Sequence, residues 1–219
     1  MRITLSERGT PDWLVAADLA QKVFAKQYQA SISPDPDSFL AFFEDSEDGT
    51  EEALACAGLS FPEGEGSSIL LERYLDGPVE DVIAASVEAP VKRSQVMQVG
   101  NISSIRVTAG AEIIKAIPLV MACLGRPYAV MTMTHRLAAL MKRLGVVFHP
   151  LADASPDRLT TEEAATWGSY YETRPMVGYA IAAEQSTLLL AAIGRYCFET
   201  IDMRFVSNRP EAKVLTRAA

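Results

Sequence analysis

Residues 98–113 read QVGNISSIRVTAGAEI. An apolar and polar alternation runs into Asn101, Ser103 and Ser104, meets Arg106, and turns through Ala109, Gly110 and Ala111 toward a helix. A helix N-terminus carries unpaired backbone N–H groups and a partial positive charge, so a strand that ends this way can cradle a phosphate. Small residues around Gly110 would let the anion approach the backbone. The guanidinium of Arg106 matches phosphate geometry, with Val107 and Thr108 completing the turn. The alternative is a plain connection with Thr108 as cap, Arg106 paired to a surface acid, and Asn101, Ser103 and Ser104 satisfying local backbone groups. Glu112, expected in the first helical turn, competes with a bound anion. Pro118, inside the helix, costs about 3 kcal/mol unless the helix kinks. Both readings stay open on the residues alone.

Other side chains could do chemistry. Thr132 and Thr134 alternate along one predicted strand and so share a face. Trp167, Tyr170 and Tyr171 lie at a predicted helix end, in a core stripe or a pocket wall. Glu72 and Asp76 flank Tyr74 in LERYLD, where an acid could hold an amine or belong to a solvated face. A histidine can serve as general acid or base, but His135 has no nucleophile beside it in the sequence. With only two histidines, a histidine-rich metal site is not available, and no metal is expected.

The elements that must position these residues read as follows. Thr10-Pro11-Asp12 starts a helix that should reach about Ala30, with Leu14, Ala17, Phe24 and Tyr28 on one side. Strands are expected at 38–44 and 53–61, joined by a tight turn at Asp48-Gly49, and a third at 68–75. A short helix over 76–87 follows. Strands at 95–105, 127–134 and 146–152 then alternate with helices at 110–124 and 135–145, which implies a partly parallel sheet. Thr160 and Glu163 have capping-box spacing. A strand at 176–182 and a helix at 184–200 complete a single domain spanning 1–207, with 208–219 a tail. The fold class is α/β: a central mixed β-sheet with helices on both faces.

Composition narrows the function. The chain of 219 residues is 49% hydrophobic and 22% charged, ordinary for a globular protein, with net charge −8. Between 35 and 88 there are fifteen acids and one base, Arg73. Such a face repels phosphate backbones, so no nucleic-acid partner is expected. Cys56, Cys123 and Cys197 are unpaired by spacing and read as buried free thiols in a reducing compartment. The N-terminus lacks the apolar core of a signal peptide, and no run approaches the ~20 residues of a transmembrane helix. The expected location is cytoplasmic, with a homodimer left open.

The element order is shared with the acyl-CoA N-acyltransferase fold. That superfamily's pyrophosphate signature is Gln/Arg-x-x-Gly-x-Gly/Ala; Arg106 and Ala111 match, while Ala109 stands where the first glycine is expected. The chain more specifically resembles the thermostable hemolysin family. The residues that carry this are LERYLDGPVEDVI (71–83), QVGNISS (98–104), the Gly110 turn, MTMTHRLAALMKRLGV (131–146), PLADASPDRL (150–159) and WGSYYETRPMVG (167–178). The family is similar in organisation to the acyl-homoserine lactone synthases.

The resemblance implies a protein that moves an acyl group from a thioester to a small-molecule amine. The donor would be coenzyme A, as acyl-CoA, or an acyl carrier protein. Residues 106–111 would then hold the donor, and Asn101, Ser103, Ser104, Thr132 and Thr134 would line the substrate. Tyr170 or Tyr171 would protonate the leaving thiolate, and Glu72 would hold or deprotonate the amine. The rival reading is a membrane-active or partner-binding protein that keeps the fold without catalysis. A third, lactone synthesis from S-adenosylmethionine, follows only from the likeness to the lactone synthases.

Overall fold

The computed structural model describes residues 2–45, 51–62 and 69–195. The expected turn at Asp48-Gly49, Cys197, the helix beyond 195 and the tail lie outside them. Strand β1 (Arg2–Glu7) leads into helix α1 (Pro11–Tyr28), followed by β2 (Ser38–Asp45) and β3 (Glu51–Ser60). A 3-10 turn at Leu70–Tyr74 precedes α2 (Val79–Val87). The alternating part follows: β4 (Val96–Ser104), α3 (Val107–Cys123), β5 (Tyr128–Met133), α4 (His135–Arg143) and β6 (His149–Asp153). It closes with α5 (Thr161–Thr166), β7 (Met176–Ile181) and α6 (Ser186–Arg195).

Among the described residues the strands form one seven-stranded sheet, ordered β1-β2-β3-β4-β5-β7-β6. Only β4 and β5 run parallel; the other neighbours are antiparallel. Alternation along the strands sends side chains to two cores. Leu40, Phe42, Ala55, Ala57, Met97 and Val99 pack under α3 and α4. Phe39, Ala41, Phe43 and Cys56 pack under α1, while Val96, Val130 and Tyr179 meet α2. Helices thus cover both faces, as expected.

Several expectations are corrected. The first strand is β1, which the sequence reading passed over: it is a short edge strand with Leu5 44% exposed. Residues 70–74 form a 3-10 turn, not part of a strand, because the Glu72 carboxylate accepts from Ile69 N and Val79 N, each at 3.0 Å, and curls the chain around itself. The buried stripe of α1 is Trp13, Ala16, Ala17, Ala20, Val23 and Phe24, at helical spacing; Leu14 points to solvent. The Thr10 hydroxyl bonds Glu7 O rather than capping the helix. Cys56 is buried as expected, but Cys123, at the end of α3, is exposed.

Helix α3 begins earlier than the sequence suggested and runs through Pro118. Glu112 therefore falls in its second turn, buried and bonded to Lys115, and not at the helix entrance. The expected capping box of α5 is present in both directions, Thr160 N to Glu163 Oε2 and Glu163 N to Thr160 Oγ1.

Candidate functional site

The central strands part in the middle of the sheet. β4 and β5 pair only across Val96–Tyr128, Met97–Ala129 and Gln98–Val130. Beyond that, β4 continues with β3 to Ser104, and β5 stays with β7. Just past the parting, β4 bulges. Cys56 pairs with Ser103 and Gly58 with Gly100, so Ala57 opposes both Asn101 and Ile102. Asn101 takes up a left-handed conformation with φ 50°, which asparagine tolerates better than most residues. A bulge leaves one residue's backbone without a ladder partner and bends the strand.

The parting opens a cleft of about 870 Å³. Its walls come from both faces of the sheet. On one side stand Val107, Gly110 and Ile114 of α3 with Leu137 and Leu140 of α4; on the other stand Phe24, Tyr28, Tyr74 and Trp167. An aromatic cluster of Phe24, Tyr28, Trp167, Tyr170 and Tyr171 ties the end of α1 to the segment after α5.

The structure brings most of the candidate residues to this cleft. Asn101, Ser103, Ser104, Val107, Gly110, Thr132, Thr134, Tyr170 and Tyr171 all line it. Ser104 organises the turn into α3: its Oγ accepts from Arg106 N at 3.2 Å and donates to Arg106 O. Gly110 sits directly over it. The N–H groups of Val107, Thr108 and Ala109 open α3, while Gly110 N is already bonded to Arg106 O at 3.0 Å. Thr134 caps α4, accepting from Leu137 N at 3.2 Å.

Other candidates are placed elsewhere. Arg106 is exposed, with its guanidinium 2.6 Å from Glu44 Oε2 on β2. Thr108, Ala109 and Ala111 do not line the cleft, and Ala109 is part of the core under α3. Glu72 also lies outside the lining. Its two oxygens face Arg93 at 2.7 and 3.0 Å, and Arg93 also reaches Glu80 at 2.7 Å. Burial alone would push Glu72 up, but Arg93 and the Ile69 and Val79 N–H groups outweigh it and hold the carboxyl below its usual range.

The tyrosines are held as acids that stay protonated. Tyr74 and Tyr171 share a hydrogen bond of 2.6 Å between their hydroxyls. Burial raises both phenols; for Tyr171 the bond to Tyr74 raises it further. Tyr170, 7% exposed, is raised by burial as well.

The sequence reading missed two cleft residues of opposite character to the acidic surface. Arg136 and Arg143, seven residues apart on α4, line the cleft with Leu137 and Leu140. Among the described residues neither guanidinium forms an ion pair. Arg136 lies near enough to Tyr28 to offset part of the rise that burial imposes on that phenol. The available signal was the spacing itself: two arginines on one helical face in a chain of net charge −8. Among the described residues no group of three or more His, Cys, Asp or Glu side chains converges as a metal site would require. No described helix is long and apolar enough to cross a membrane.

Comparison with solved structures shows the acyl-CoA N-acyltransferase-like fold. The CoA-dependent acyl-homoserine lactone synthase BjaI, solved with SAM and isopentyl-CoA, superposes with a TM-score of 0.56 at 11% identity, covering 94% of this chain and 96% of its own. The acyl-homoserine lactone synthase LasI gives 0.55 at 11% identity over 95% and 98% of the two chains. FeeM, an N-acyl amino acid synthase from uncultured soil microbes, gives 0.52 at 10% identity over 86% and 99%. No curated protein matches the sequence. The family model described as Thermostable hemolysin matches residues 6–187, most of the chain, and with the sheet, the parted strands and the cleft in place the protein belongs to that family.

Proposed function

We propose that this protein transfers an acyl group from a phosphopantetheine-type thioester to an amine. The observation that carries the reading is the bulge at Asn101–Ile102 inside the parted β4 and β5. There two residues of β4 oppose the single residue Ala57 on the wall of a cleft reached from both faces of the sheet. In this reading a backbone N–H turned toward the cleft by the bulge polarises the thioester carbonyl and stabilises the oxyanion that forms there.

The donor enters from the α3 and α4 side. Its phosphate meets the first N–H groups of α3 and the guanidinium groups of Arg136 and Arg143, which take the role that Arg106, engaged by Glu44, does not. Gly110 and Ser104 keep the path beside α3 narrow. The pantetheine arm follows Val107 and Ile114 toward the bulge, and the amine approaches from the α1 side. The reaction needs no covalent enzyme intermediate: alignment of the two reactants supplies most of the rate. Tyr171 and Tyr74 serve as hydrogen-bonding groups near the reacting centre, since phenols raised this way are poorly matched to give up a proton. BjaI, with CoA-dependent synthesis and isopentyl-CoA in its structure, supports a thioester donor for this chain too.

The test is a thermal-shift titration with coenzyme A, decanoyl-CoA and decanoyl acyl carrier protein. A donor at a hundred times its dissociation constant adds about 2.7 kcal/mol of stability. Saturable stabilisation by a decanoyl thioester, lost in Gly110→Trp, supports the reading. No shift with either thioester overturns it.

A further inference from the structure

The bulge on β4 carries a side chain that the fold itself does not use. Asn101 is half-buried on the cleft wall, and its carboxamide forms no hydrogen bond among the described residues. It also holds a left-handed backbone, φ 50°, which even asparagine adopts at some cost. Strained residues persist where their surroundings fix them, and they cluster at functional sites.

The surroundings are specific. Cys56 Sγ lies 3.9 Å from Asn101 O, so the bulge carbonyl faces a buried thiol. The Asn101 side chain turns over Gly58 of β3: a Cβ built on that glycine would stand 3.2 Å from Asn101 Oδ1 and 3.0 Å from Pro36 Cγ. Gly58 therefore leaves a slot that any side chain would fill. Pro36 closes the slot and is itself pinned, since its carbonyl accepts from Trp13 Nε1 at 3.1 Å and from Arg8 Nε at 3.3 Å.

The slot opens to one side of the sheet. Phe39 lies directly opposite Gly58 on β2 and packs under α1, and residues opposed across a ladder share a face. The Asn101 carboxamide is accordingly on the α1 side, with Pro34, Asp35 and Pro36 lining the cleft beside it. In the acyl-transfer reading the amine arrives from that side. Asn101 Oδ1 rests against β3, while the Nδ2 protons meet no described acceptor.

We infer that Asn101 is a specificity-determining residue for the acceptor, its Nδ2 donating to an oxygen carried next to the reacting amine; the inference rests on the acyl-transfer reading above. The left-handed backbone aims the carboxamide, and the Gly58 slot leaves room for it. An amine without such an oxygen gains nothing from residue 101 and still reacts at the bulge. Discrimination between the two kinds of amine then sits in one side chain that the stability of the fold does not require.

The test is steady-state transfer from decanoyl-CoA to glycinamide, which carries a carbonyl beside its amine, and to butylamine, which does not. Each variant is compared with the parent on the same amine at one pH, so amine ionisation cancels. Asn101→Gly removes the carboxamide and suits a positive φ, so Tm should not fall. KM for glycinamide should rise about tenfold, the scale of one hydrogen bond, while KM for butylamine and for decanoyl-CoA should change less than about twofold. Gly58→Ala should also raise KM for glycinamide. The double variant should be no worse than Asn101→Gly alone, because the atom that the new methyl displaces is already gone. An unchanged glycinamide KM in Asn101→Gly, an equal rise for both amines, or additive effects of the two substitutions would overturn the assignment. No amide from the parent with either amine would instead remove the acyl-transfer reading, and this inference with it.

Discussion

A Cβ built on Gly110 lies 3.0 Å from the Cβ of Ser104 and 3.1 Å from its Oγ, so α3 meets the end of β4 with almost no room for a side chain. In an ordinary helix interior, Gly→Ala gains about 1 kcal/mol. Here Gly110→Ala should gain nothing, because Ser104 must move and Ser104 shapes the turn into α3. Denaturant unfolding should show no stabilisation. Thermal shift by decanoyl-CoA should be reduced in Gly110→Ala and abolished in Gly110→Trp.

The donor's phosphate should be read by α4 and not by the residue at the signature position. Arg136→Ala with Arg143→Ala is expected to weaken decanoyl-CoA binding about tenfold at low salt and to flatten its salt dependence. Arg106→Ala, which removes only an exposed ion pair to Glu44, should change affinity less than twofold. Calorimetry across a salt series checks both, and equal effects from the two variants would count against the assignment.

Glu72 should report through stability. Its folded pKa is depressed, so the stability it contributes is present above the unfolded value of about 4.3 and is lost as pH falls through the folded value. Glu72→Gln removes a charge partner of Arg93 in a partly buried site and should cost about 3 kcal/mol at pH 7. The variant should also lose less stability than the parent on acidification from pH 5 to pH 3. Denaturant melts at the two pH values measure the difference.

The tyrosine pair should matter modestly. A phenol raised above its ordinary value near 10 is a weaker acid than a thiol near 8.5, so full proton transfer to the thiolate runs uphill. Tyr171→Phe should lower kcat/KM by less than about tenfold, the scale of one lost hydrogen bond. A thousandfold loss, the scale of general acid catalysis, would restore proton donation to Tyr171.

Much of the architecture was legible because periodicity and punctuation carry it. Pro11, the Thr160–Glu163 box and the glycine after α4 mark their helices plainly. The alternation of strands and helices after residue 95 announces the parallel pair β4 and β5. What the sequence hid depends on contacts distant along the chain. The turn at 70–74 looks like a strand until Glu72 meets Val79 and Arg93. Arg106 reads as a phosphate ligand until β2 brings Glu44 to it, 62 residues away. The bulge at Asn101–Ile102, which turns Ser103 to the α1 face of the sheet, arises from the register with β3, which no local pattern encodes.

The most direct measurement is product formation from decanoyl-CoA and glycinamide at pH 8, following free thiol by colour and N-decanoyl glycinamide by mass. The account predicts amide and thiol in one-to-one ratio, well above a protein-free control and lost in Gly110→Trp. Thiol release without amide, or no amide above the control while decanoyl-CoA binds, would contradict it.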